Sequence, residues 1–309
     1  MTALQKFQDK GSRLLHRSLK TTQSRIVTCG LLVIGLFYLP AWLSFSVQSL
    51  IKGSSSPILN FGFIYLGLQG IWQRRRKLTS LTASEEDRWL GYLLILGGSA
   101  IFPFVLTSLS LRAFLVVLIL VGIVISTWGL QFFRVFPLSA TLLLISVYPD
   151  LLYLANAIRR TVFPNLLESS MAWMGSLALQ AVGQSAVAQG TLLSLSPIIT
   201  ADKSVEVASG CSGFDMAFIL AGTGLILGLF LKQRLTMIAW IMASGVILAL
   251  VLNIPRIMLL AWAVVYWGKD SFEFWHGPIG GQIFAVILFT IYYYLVMWMV
   301  DRQPKKIRS

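Results

Sequence analysis

The chain has 309 residues, 56% of them hydrophobic and only 12% charged, with a formal net charge of +13. Several unbroken apolar runs reach the ~20 residues that a helix needs to cross ~30 Å of hydrocarbon, which excludes a water-soluble globular enzyme. The runs are continuous rather than alternating, which excludes a β-barrel, and the excess of Lys and Arg is the loop charge of a membrane protein rather than a signature of nucleic-acid binding.

The expected architecture is an all-α polytopic bundle of about eight spans. Residues 1–25 form a basic tail with Lys6, Lys10, Arg13, Arg17, Lys20 and Arg25. It reads either as a plain cytoplasmic tail or as an amphipathic helix on anionic lipid, and it lacks the short apolar core of a cleavable signal. The expected spans are Ile26–Ile51, Ile58–Trp72, Trp89–Leu109, Ala113–Phe133 and Val135–Leu154. Thr82 and Glu85 have capping-box spacing ahead of the third. Residues 155–204 differ: Arg159, Arg160, Glu168, Gln180, Gln184 and Gln189 interrupt the apolar pattern. Leu166–Ala188 reads as a helix that lies at the interface or packs against the bundle and does not cross, followed by a loop with Pro197. Phe214–Leu231 and Leu235–Leu252 are the sixth and seventh spans. Asn253–Arg256 and an apolar tail to Trp267 come next, then a polar loop and an eighth span, Pro278–Val300. The transmembrane domain thus covers residues 26–300, and a basic tail occupies 301–309.

With eight crossings, eighteen Lys and Arg lie on the side of the termini and seven on the other. The positive-inside rule puts both termini in the cytoplasm. Cys211, Arg256 and His276 then share the outer face. Cys29, at the inner end of the first span, is expected not to pair with Cys211.

Chemistry concentrates in Val205–Phe214, VEVASGCSGF. Val205, Glu206 and Val207 alternate as a short extended segment does. Ser209, Gly210, Ser212 and Gly213 permit a sharp turn around Cys211, just ahead of a helix whose free N–H groups and dipole favour a thiolate. Taken alone, Cys211 reads equally as buried filler, Arg256 as a snorkelling anchor and His276, beside Trp275, as an interface residue. Together they supply a nucleophile, a charge-stabilising cation and an acid/base, which is what acyl transfer through a thioester requires. A metal site completed by Glu206, Asp215, Asp270 or Glu273 is the lesser alternative. No cofactor is called for.

VEVASGCSGF, NIPR and FEFWHGPIGG, in that order within residues 205–281, resemble the exosortase/archaeosortase family of membrane transpeptidases, with the closest likeness to the cyanoexosortase branch. The resemblance implies an enzyme of the cytoplasmic membrane. Its partners are the lipid bilayer and membrane-anchored proteins bearing a C-terminal sorting signal: a Pro-Glu-Pro-like motif, one helix and a basic tail. It implies Cys211 as nucleophile, Arg256 as the stabilising residue and His276 as acid/base. It leaves the acceptor nucleophile open. Asp215 stands where many relatives carry a basic residue. On a helix it shares a face with Cys211, where its charge raises the thiol pKa, and it is free to orient Arg256 or His276 instead. The competing readings are a transporter, a non-catalytic assembly factor and a membrane acyltransferase. Few ionisable residues sit near span centres and no repeated half is visible, which counts against transport.

Overall fold

The computed structural model describes residues 21–196 and 204–302. The expectations for the N-terminal tail to residue 20, for Pro197–Lys203 and for the C-terminal tail beyond Arg302 lie outside the described residues. The protein is an all-α polytopic membrane protein with one small sheet. Among the described residues five helices are long and apolar enough to cross a membrane: Thr22–Ile51, Glu85–Val105, Leu109–Trp128, Leu235–Trp267 and Pro278–Asp301. A sixth is formed if the broken pair Pro137–Val147 and Leu151–Val162 counts as one span.

Helices occupy all eight expected places, but three fall short of simple crossings. Phe214–Phe230 has 17 residues, about 26 Å of helix against ~30 Å of hydrocarbon. Ser56–Gln73 has 18 but carries Ser56, Asn60, Gln69 and Gln73, which leave it less apolar than the five spans. The fifth place breaks after Val147, because Pro149 has no N–H to continue the ladder and disfavours helical backbone in the residue before it.

The chain divides into two compact units. One comprises the residues up to Gln48 and Asn60–Pro149; the other comprises Ser49–Leu59 and everything from Asp150.

In the first unit the Glu85–Ile101 helix starts at Ser84, not at the expected Thr82. Ser84 Oγ accepts from Asp87 N at 3.1 Å, and Asp87 Oδ2 accepts from Ser84 N at 3.4 Å. Glu85, Glu86 and Asp87 complement the dipole in its first turn. It lies backbone-close to Leu109–Trp128. A Cβ on Gly91 would stand 2.6 Å from the Gly122 carbonyl, and one on Gly122 would stand 2.8 Å from the Gly91 carbonyl. Small residues allow such approach in lipid, where packing replaces the hydrophobic effect as the driving force. Ile95 and Ile119 fill the seam with no exposure. The carbonyls at the break are satisfied within the unit. Tyr38 Oη donates to Val147 O at 2.5 Å, and Asn60 Nδ2 donates to Tyr148 O and Pro149 O at 3.1 Å each.

In the second unit the amphipathic segment is Leu151–Val162, earlier than expected. Leu154, Ile158 and Val162 are exposed on one side, and Asn156, Arg159 and Arg160 occupy the other. Leu166–Ala181 has its own buried face, formed by Glu168, Met171, Ala172, Gly175 and Leu179. The chain then forms three antiparallel strands, β1 (Val187–Gln189), β2 (Leu192–Ser194) and β3 (Ser204–Glu206), in the order β1-β2-β3. β3 is the extended segment expected from the alternation at Val205–Val207; the first two strands were expected as helix end and loop. Phe214–Phe230 and Leu235–Trp262 pack as an antiparallel pair through Gly224 and Gly228. Tyr292 of the last helix closes this pair, its hydroxyl donating to Ile241 O at 2.9 Å.

The glycine seam makes a specific prediction. Gly122→Ala meets a backbone oxygen and should lower the thermal midpoint in detergent by several degrees. Gly97→Ala has no atom within 4 Å of the new Cβ and, gaining about 0.5–1 kcal/mol of helix propensity, should leave the midpoint unchanged or higher.

Candidate active site

β3 hands the chain directly to Cys211. Ala208 is extended, and Ser209–Cys211 forms a single 3-10 turn in which Cys211 N donates to Ala208 O at 2.8 Å. Ser212 is fully buried, and its hydroxyl donates back to Ser209 O at 2.7 Å. Gly213 has φ +77°, the left-handed region in which a side chain is strained. A Cβ there would also stand 3.0 Å from the Asn253 side chain. Two independent constraints therefore require glycine at this position, and the next helix starts immediately after it.

Cys211 thus lies two residues ahead of the helix cap rather than in the first turn, and it is buried, with 5% exposure. Its neighbours in the core are apolar: Met171, Ala172, Leu193, Val207, Ile257 and Leu260 among them. Burial pushes the thiol above its ordinary range, the positive charge of Arg256 pulls it down and the negative charge of Asp215 adds to the rise. The sequence expectation of a thiolate favoured by the helix terminus is corrected: the resting group is the thiol, because desolvation outweighs the nearby cation.

Arg256 comes from a helix that Pro255 does not end. Leu235–Trp262 is continuous, and a π-helical segment, Ala263–Trp267, succeeds it. The expected stop at Leu252 is therefore corrected; the proline ring is exposed, where it displaces no packing. Continuity keeps Asn253, Arg256, Ile257 and Leu260 on one face, and all four are buried. Asn253 Nδ2 donates to the Cys211 carbonyl at 2.8 Å in the interior. Arg256 is 9% exposed and its guanidinium lies 5.8 Å from the Phe284 ring centre. Its Nε has no hydrogen-bond partner among the described residues.

His276 is the last residue of a short helix, Lys269–His276, and is exposed. Its ring stacks on Phe272 with centroids 5.2 Å apart and planes 17° apart. Phe272 and Trp275 pack against the cluster that contains Cys211. Trp275 also meets Phe284 at 6.3 Å, the ring beneath Arg256. The charge of Arg256 thus acts on Cys211, while His276 is tied through Phe272 to the cluster that contains Cys211, with no hydrogen bond from its imidazole among the described residues.

A polar network beside the turn was not anticipated. Arg159 forms two hydrogen bonds to Glu168, at 2.9 and 2.7 Å, with both side chains nearly sealed from solvent. Arg159 also reaches Asn156 Oδ1 at 3.5 Å, and Asn156 Nδ2 donates to Asp215 Oδ1 at 2.8 Å. Arg160 donates to Ser209 Oγ at 2.8 Å. Glu168 is thus an internal partner: burial opposes its ionisation, but the hydrogen bonds from Arg159 hold its carboxyl below the usual range. Asp215 is engaged by Asn156, so its side chain is not hydrogen-bonded to Arg256 or His276. Of the other acidic residues, Glu273 pairs with Lys269 at 3.6 Å on the surface. No three His, Cys, Asp or Glu side chains gather as a metal site among the described residues. The only sequence signal for the network was the run of polar residues in an otherwise apolar stretch. The pairing itself, across nine residues and a left-handed Asn165 (φ +57°), was not legible there.

A family model described as transmembrane exosortase matches residues 52–293, a range that includes Cys211, Arg256 and His276. No curated protein and no solved structure matches the chain.

The electrostatics of the site make two predictions. In a Cys29→Ser background, the pH midpoint for maleimide labelling of Cys211 should lie above the ordinary thiol value of about 8.5; Asp215→Asn should lower it and Arg256→Gln should raise it. Glu168→Gln leaves a buried guanidinium without its counter-charge and should cost roughly 3–5 kcal/mol, read as a fall in thermal midpoint. Adding Arg159→Met to Glu168→Gln should recover part of the loss.

Proposed function

The chain belongs to the transmembrane exosortase family, and from that premise we propose that it is a cysteine transpeptidase that cuts a C-terminal sorting signal from membrane-anchored proteins through a thioester. Membership supports a membrane transpeptidase or sorting-protease role in general terms, and the proposal gives that chemistry to three residues. Cys211 is the nucleophile, Arg256 stabilises developing negative charge and His276 is the acid/base.

The observation that carries the assignment is the single helix face that serves Cys211 twice. Asn253 fixes its carbonyl at 2.8 Å, and Arg256, one turn further along, supplies the cation whose charge reaches its sulfur. The resting thiol is kept protonated by burial, so attack requires a base. In the proposed cycle His276 takes the thiol proton as Sγ adds to the scissile carbonyl carbon, and Arg256 offsets the charge on the carbonyl oxygen. The C–N bond then breaks, the amine leaves with the proton from His276, and the acyl group remains on Cys211 as a thioester. An acceptor amine or water attacks that thioester and restores the thiol. Holding the resting cysteine as a thiol also protects a solitary nucleophile from adventitious reaction between turnovers.

The substrate is a protein with one membrane helix, which arrives laterally with its scissile bond just outside the bilayer. Confinement to the membrane raises its effective concentration, so modest contacts suffice. By the distribution of Lys and Arg the termini face the cytoplasm and Cys211 faces outward across the cytoplasmic membrane. The likeness to the cyanoexosortase branch and a Pro-Glu-Pro-type signal belong to the same proposal.

The test is co-expression with a tagged single-span reporter that ends in such a signal. Wild type should yield a shortened reporter and a hydroxylamine-sensitive adduct. Cys211→Ala and Cys211→Ser should yield neither, and Arg256→Gln should reduce processing by about a hundredfold or more, as loss of an oxyanion-stabilising donor does. Processing that persists in Cys211→Ala would overturn the mechanism.

A further inference from the structure

Three guanidinium groups and two carboxylates surround the Cys211 turn, and they are not evenly matched. Arg159 is neutralised by Glu168, and Asp215 accepts from the neutral Asn156. Arg256 and Arg160 form no ion pair among the described residues. Arg256 is buried beneath the turn and acts on the thiol. Arg160 differs: it is exposed, and the one hydrogen bond its guanidinium makes goes to a hydroxyl, Ser209 Oγ at 2.8 Å, two residues before Cys211. A guanidinium presents five N–H donors in a planar fork that matches a carboxylate, so this single contact leaves the fork available. Next to it, Gly210 opens onto free space where a side chain would be. The charge of Arg160 also reaches Asp215 and Glu168, which puts it in the same field as the candidate nucleophile. Leu154, Ile158 and Val162 expose an apolar side of the same helix away from Arg160, as a helix lying on a membrane surface does.

We propose that Arg160 is a specificity residue that binds an acidic side chain of the substrate segment next to the bond Cys211 attacks, with Ser209 holding the guanidinium in place. The inference rests on reading Cys211 as the nucleophile. The contact is a rim interaction between a charged fork and a carboxylate, so it selects among substrates and takes no part in bond-breaking.

The experiment measures binding and processing in parallel. Cys211→Ala protein in phosphatidylcholine nanodiscs is titrated with a fluorescent single-span reporter that carries Glu, Gln or Lys at the positions flanking the scissile bond. The Glu reporter should bind about tenfold more tightly than the Gln reporter, the scale of a charge-assisted hydrogen bond. Arg160→Gln should abolish that preference at an unchanged thermal midpoint, Arg160→Lys should keep part of it, and Arg160→Glu should favour the Lys reporter. A preference for Glu that survives Arg160→Gln, or an equal loss for all three reporters, would overturn the inference; the second result would mark Arg160 as a lipid or folding anchor. Processing separates the two claims. Arg160-dependent binding with no cleavage by the wild-type chain would remove the transpeptidase reading, and with it the placement beside a scissile bond, and leave only the recognition of an acidic side chain by Arg160. Cysteine-dependent cleavage indifferent to Arg160 would do the reverse.

Discussion

The hydrogen bond from Asn253 to the Cys211 carbonyl is the constraint on which the candidate site depends. It joins residues 42 apart in sequence, in an interior where water offers no alternative partner. An unmade backbone hydrogen bond there costs far more than one at a surface, so the 3-10 turn is pinned to one face of one helix. Gly213 is required by the same contact, because its missing side chain is the space that Asn253 occupies. Once Asn253 is placed, the helical period places Arg256, and the cation comes to the thiol without any further device.

The site is organised by low dielectric more than by hydrogen-bond donors. Burial keeps the thiol protonated even though a guanidinium lies close by. The same burial makes the Arg159–Glu168 pair obligatory, since either charge alone would be intolerable at that depth. Asn156 connects this neutral unit to Asp215. In consequence Asp215, whose charge reaches the cysteine, is held by an amide and not by Arg256. Arg256 is left with its charge uncommitted, beneath a cluster of otherwise apolar side chains.

His276 is positioned by a different principle. It is attached through aromatic packing: its ring rests on Phe272, and Trp275 connects its helix to Phe284, the ring beneath Arg256. Stacking of this kind sets the distance of a side chain without fixing its hydrogen bonds. The short helix that bears it lies between Gly268 (φ +83°) and Gly277, next to a π-helical segment.

Composition and hydropathy period determined the class of this protein outright. Continuous apolar runs admit one backbone solution in lipid, and helices stand at all eight places where those runs occur. The alternation at Val205–Val207 was enough for a strand, and three short motifs in order were enough for the family. Other features needed the tertiary structure, because each depends on partners distant in sequence. Pro255 reads locally as a helix stop, yet packing on both sides carries the helix through it. Cys211 reads as a residue at a dipole-stabilised terminus, yet the sheet and the 166–181 helix bury it, and desolvation reverses the sign. Glu168 reads as a surface acid, yet a left-handed turn at Asn165 folds it back onto Arg159. Periodicity describes what one segment does alone. Burial, and with it the charge state of every group around Cys211, is a property of what the other segments bring to it.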